Sequence, residues 1–146
     1  MPDEPRDRAH EEHRTATLAY VMPTLIGVLV AYALSLVTTG WMAARGWVSA
    51  SPDGAIVHGL LPLAASRALF TLLAGRLAAQ MAPSRPMLHA TLVGVVLTLL
   101  AVFGAGQMTG AAPTGYIATI IGLALPSAWL GGALALRSAA HRAHGA

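Results

Sequence analysis

The side chain with the most chemical potential is Arg67, a cation inside an otherwise apolar stretch. An arginine in such a setting must find backbone carbonyls, hydroxyls such as those of Ser66 and Thr71, water, or the phosphate of a lipid. Two readings follow. In one, Arg67, Thr71 and Gln80 form a binding site for an anion or a lipid headgroup. In the other, Arg67 lies two to three turns from a membrane boundary and snorkels out to it. The second is the plainer reading and is preferred. Arg76 falls nearer the opposite boundary, where snorkelling is easier still.

The acids decide most of what the chain is not. After Glu12 the only carboxylate is Asp53, in a loop. Carriers coupled to protons or cations place an acid inside a span, and small multidrug exporters of this size depend on an embedded glutamate. Neither class fits, and paired-carboxylate hydrolysis fails for the same reason. There is no cysteine, so thiolate chemistry and disulfides are excluded. His10 and His13, and likewise His141 and His144, share i, i+3 spacing but lie in tails that do not preform a metal site. His58 and His89 fall at opposite boundaries and cannot ligate one haem. Ser35, Thr38, Ser66, Thr71, Thr98 and Ser127 are expected to bond back to their own helices. No GxSxG elbow or phosphate loop is present. We therefore expect no catalytic residues, no metal, no cofactor and no enzymatic activity.

The elements that carry these residues follow from composition. Of 146 residues 55% are hydrophobic and 10% charged, against about 25% charged in ordinary soluble domains. Four stretches, about 18–39, 58–82, 87–106 and 115–136, are each close to the ~20 residues needed to cross a bilayer. The expected fold is all-α, a transmembrane four-helix antiparallel bundle within 16–137. Residues 1–15 and 138–146 form charged tails, and 40–57 an exposed loop with Trp41 and Trp47 as interfacial anchors. The reversal from Ala74 to Gly94 organises the rest. Pro83 and Pro86 stop one helix, and Pro86 suits the first turn of the next. Most arginines (Arg6, Arg8, Arg14, Arg76, Arg85, Arg137, Arg142) then share one side, which places both termini in the cytoplasm.

Small residues at helical spacing supply the expected packing faces: Ala64, Ala68, Gly75 and Ala79 in the second span, and Gly131, Gly132 and Ala135 in the fourth. Some of these are expected to serve an intermolecular contact, because they do not all lie on one side of the helix. Ser66–Gln80 echoes Ser127–His141, mostly at alanine and leucine, which reads as composition rather than duplication.

The segments AGRLAAQMAPSRPMLHATLVG and LPSAWLGGALALR (Leu125 to Arg137) resemble a loose set of small uncharacterised bacterial four-span membrane proteins. The resemblance covers roughly the second half of the chain and implies the four-span topology, with no activity attached. Here Arg76 stands where an aromatic is usual and Gln80 where an arginine is usual.

The leading expectation is a non-enzymatic structural or accessory protein of the bacterial inner membrane. Its partners would be the lipid bilayer and a second copy or a larger membrane protein; nucleic acid has no basic, aromatic face to bind. The alternative is a small channel or carrier for an anionic or neutral solute with Arg67 in its path. A pore would set Arg67, Thr71, Gln80 and Gln107 on one continuous cavity. An accessory protein would bury its alanines and leave Arg67 at the headgroups.

Overall fold

A computed structural model describes residues 4–48, 59–107 and 113–144. Four helices account for nearly all of them: α1 (Glu4–Ala44), α2 (Leu60–Met81), α3 (Pro86–Gln107) and α4 (Thr114–His144). Each contains a stretch long and apolar enough to cross a membrane. The outward surface agrees with that: Leu61 is 81% exposed, and Val37 and Phe103 are each 70% exposed. A water-facing domain rarely shows so much contiguous apolar surface.

The chain is built inside out relative to a soluble bundle. Its interior is mostly alanine and glycine, with Ala31, Ala74, Ala78, Ala79, Ala90, Ala128 and Ala135 buried, while the large side chains point outward. Lipid tails match leucine as well as a protein core does, so packing comes from close backbone approach rather than from burying large groups. α2 is the least apolar of the four spans and touches all three of the others, which shields its polar groups from lipid.

Neighbouring residues fix the topology. Gly27 faces Ala74 and Ala78, and Met42 packs with Leu63 and Ala64, so α1 and α2 are antiparallel. Gly94 faces Ala128 and Gly132 faces Ala90, so α3 and α4 are antiparallel too. α2 and α4 run parallel, with Ala64 beside Tyr116 at one end and Ala79 beside Ala135 at the other. Alternate up-and-down helices put the two chain termini at the same end of the bundle. α1 and α4 do not touch among the described residues.

Three boundaries differ from the sequence expectation, one being α4, which runs past 136 to His144 through the expected tail. α1 extends back to Glu4, through the charged tail, and forward past 39 to Ala44. Gly40 therefore lies within a helix. The real stop is Gly46, whose φ of 71° only glycine adopts freely. The Trp47 N–H donates to the Met42 carbonyl and the Gly46 N–H to the Ala43 carbonyl, the paired closure of a glycine-ended helix. Trp41 and Trp47 meet edge to face at 5.2 Å, and the Arg45 guanidinium lies 5.3 Å from the Trp41 ring, forming an aromatic end-piece. α3 begins at Pro86, where the missing N–H has no helical partner to lose.

Candidate ligand cleft around Arg67

At the end of the bundle away from the termini, one buried cluster joins Met42, Leu63, Ala64 and Tyr116. It contains residues of α1, α2 and α4 and none of α3. α1 and α3 meet nearer the other end, through Gly27 against Val93 and Thr24 against His89. Farther along, residues of both line a cleft together with α2 and α4.

Two connected cavities of about 280 and 550 Å³ make up the cleft. They share Tyr32, Leu36, Arg67, Leu100, Ala101 and Ile120. Thr39 and Thr71 line the smaller one and Tyr116 the larger. Arg67 is half-buried and its Nε is enclosed without a hydrogen-bond partner. Arg67 lies about 10 Å along α2 from Leu60, at about 1.5 Å per residue. The hydroxyls named from sequence do not answer it. Thr71 Oγ1 donates to the Arg67 carbonyl at 2.8 Å, and Ser66 Oγ to the Leu63 carbonyl at 2.9 Å.

Among the described residues four buried side-chain polar atoms lack partners: Thr39 Oγ1, Arg67 Nε, Tyr116 Oη and His89 Nε2. Three of the four sit on residues that line this cleft. Unpartnered buried groups are uncommon, because each costs about 1–3 kcal/mol of uncompensated desolvation. These three residues, one of them a cation, line one cleft, and no acid occurs among its described lining residues.

The other residues named from sequence fall elsewhere. Gln80 is exposed and lines a separate crevice of about 350 Å³ with Pro86, Ala139 and Arg142, near the termini. It shares no cavity with Arg67, and the side chain of Gln107 lies outside the described residues. No continuous polar path therefore joins Arg67, Thr71 and Gln80. Ala64, Gly75, Ala79, Gly131, Gly132 and Ala135 are all buried within the single chain, and Ala68 is half-buried. A Cβ on Gly75 would strike the Ala128 carbonyl, and one on Gly131 the Leu72 carbonyl. Gly75 and Gly131 thus serve the crossing of α2 and α4, while Gly132 faces Ala90 of α3.

No protein-family model, curated protein or solved structure matches this chain. The residues themselves must carry the functional argument.

The burial of His89 is what sequence reasoning did not foresee. It stands in the first turn of α3, fully buried, and clasps α1 to α3. Its Nδ1 shares a hydrogen bond of 3.1 Å with Thr24 Oγ1, and its ring lies 4.9 Å from that of Tyr20. The signal was helical phase: His89 shares its stripe with Val93, also fully buried. His58 lies outside the described residues, and so does Asp53. The side chains of His10, His13 and His144 are likewise not described, while His141 is exposed. No group of three potential metal ligands occurs among the described residues.

Proposed function

We propose that this chain is a bacterial inner-membrane protein, with both termini cytoplasmic, that binds and does not transform a ligand bearing a compact anionic group at Arg67. The observation that carries this reading is the convergence of Arg67 Nε, Tyr116 Oη and Thr39 Oγ1, all unpartnered, on one cleft. Arginine offers donors only, and hydroxyls can donate alongside it, so the set suits an oxyanion. The absence of a nucleophile–base pair or an acid among the described lining residues favours binding over catalysis. A through-pore is disfavoured by the separate position of Gln80. The accessory reading, in which the protein packs with itself or a larger partner, has less to rest on because its small residues, Ala68 aside, are buried within the single chain.

Ligand that binds only the folded state stabilises it. The full chain in non-ionic detergent should therefore melt at a higher temperature with millimolar inorganic phosphate than with the same concentration of chloride. Arg67→Gln should abolish the difference, and Arg67→Lys should retain part of it, since lysine keeps the charge without the planar fork. Equal stabilisation of wild type and Arg67→Gln would sink the reading.

Orientation has its own test. The excess of arginine at the end holding the termini supports a cytoplasmic placement. As the chain lacks cysteine, single cysteines can replace Ser51 and Ser84. An impermeant thiol reagent added to intact spheroplasts should label position 51 and spare position 84. The reverse pattern would invert the topology.

A further inference from the structure

We propose that the ligand is an anionic amphiphile taken sideways from the bilayer, its head on Arg67 and its tail in the gap between α1 and α3. This rests on the reading of the cleft as an anion site, and adds what kind of molecule carries the anion.

Three features of the cleft select this class. The first is where it opens. Residues of α1 and α3 that line it are exposed on the outside of the bundle, so the mouth faces outward between two helices rather than along the bundle axis. Its rims are among the exposed apolar residues: Leu29 at 57%, Leu36 at 58% and Phe103 at 70%. In a membrane those rims meet acyl chains.

The second is how polarity is distributed. Thr39 stands one turn from Met42, which packs against Leu63, so Thr39 and Arg67 lie at nearly one height. Tyr116, packed beside Ala64, is about one turn nearer the helix ends. Toward the midplane the lining is mostly apolar, with Tyr32 its one phenol on α1, running from Leu36 to Val28 for about 12 Å at about 1.5 Å per residue. The polar end is short and sits near one membrane surface; the apolar length points inward. That is the profile of a lipid, not of a hydrated ion, which would need polar groups on a continuous route.

The third is charge. No acid lies among the described lining residues, so a headgroup carrying its own cation finds no partner here. An anionic head is matched and a zwitterionic one is not. At about 550 Å³ the larger cavity falls within the roughly 300–1,000 Å³ of pockets that hold small ligands.

The tail groove can be narrowed about 10 Å along α1 from Leu36, away from the anion site. Leu29 lines the larger cavity at its apolar end, carries no polar side chain and is 57% exposed. Leu29→Trp should fold normally and fill the groove. The test compares inorganic phosphate, dodecyl phosphate and dodecyltrimethylammonium on the full chain in non-ionic detergent. Retention of each amphiphile is read by native mass spectrometry, and phosphate binding by thermal shift. We expect dodecyl phosphate to be retained at least about tenfold better than its cationic counterpart, and Arg67→Gln to lose about that factor. Leu29→Trp should lower dodecyl phosphate retention about fivefold, by excluding apolar contact, while leaving the phosphate shift intact.

If phosphate binding needs Arg67, but the dodecyl chain adds no affinity and Leu29→Trp changes nothing, the ligand is a soluble ion. The present inference then falls while the anion site stands. If Arg67→Gln leaves the phosphate shift unchanged, both fall. If Phe103→Cys forms a quantitative disulfide between copies in native membranes and dodecyl phosphate is not retained, a second chain fills the mouth and the amphiphile is excluded.

Discussion

Replacing Gly131 with leucine is expected to leave the four spans inserted but to abolish their closure into a bundle. A Cβ at Gly131 would overlap the Leu72 carbonyl and lie 2.8 Å from the Arg76 amide nitrogen. Both obstacles are backbone, so no rotamer change relieves them. On the facing helix, a Cβ at Gly75 meets Ala128 Cα at 2.8 Å. The two glycines thus hold the same crossing from opposite sides, and Gly75→Leu should behave like Gly131→Leu. Leucine must separate α2 from α4, and in lipid no hydrophobic gain offsets the lost backbone approach. The cost should reach about 3 kcal/mol or more, at the upper end for overpacked interiors. Gly122 is the control, since a Cβ there meets nothing within 4 Å. Gly122→Leu should insert and melt like wild type, or slightly higher through better helix propensity. The measurement is denaturation in mixed micelles, with thiol labelling at positions 51 and 84 to show that topology is retained. Unchanged stability in both Gly131→Leu and Gly75→Leu would mean that α2 and α4 do not cross here.

The same two glycines show how far the sequence could be read. Hydropathy and the reversal at Pro83–Pro86 located four spans and their antiparallel order, because each signal lies within one segment. Gly75 and Gly131 were visible as small residues, but which helix they face is not a local property. Phase analysis of α2 alone finds small residues on more than one side and suggests a free face. In the bundle α2 has neighbours on three sides, so several faces are used at once. The end of α1 was misread for the opposite reason. Gly40 and Trp41 look like a helix end followed by a loop, yet a glycine stops a helix only where the chain adopts positive φ, as Gly46 does.

The cleft was legible in Arg67 and Thr71 and hidden in the rest. Arg67 stands out as an uncompensated charge in an apolar stretch. Thr39 and Tyr116 carry no such mark: one reads as an ordinary residue near a span end and the other as an interfacial aromatic. They join Arg67 because residues of all four helices line one cleft, a juxtaposition that no periodicity encodes. Gln80 illustrates the converse. Grouping it with Arg67 followed polarity, but thirteen positions along a helix amount to about 20 Å, which places it at the far end of the span.

Thr24→Val is expected to destabilise the bundle more than His89→Leu does, although it removes far fewer atoms. His89 is fully buried, and only Nδ1 has a partner, through Thr24 Oγ1 at 3.1 Å. Whichever tautomer is present, one ring nitrogen is already unanswered. Valine at position 24 keeps the shape of threonine but leaves both nitrogens unpartnered in a dry interior. That should cost about 1–3 kcal/mol, the usual penalty for a stranded buried polar group. Leucine at position 89 removes both nitrogens together and keeps most of the packing volume, while the Thr24 hydroxyl can turn back to a carbonyl of its own helix. Its cost should be under about 1.5 kcal/mol, as for other volume-conserving changes. The decisive measurement is the double variant: Thr24→Val with His89→Leu should be more stable than Thr24→Val alone. Chemical denaturation of the three variants in one detergent gives the coupling directly. If the double variant is the least stable of the three, the clasp between α1 and α3 is held by ring packing against Tyr20, and its hydrogen bond contributes little.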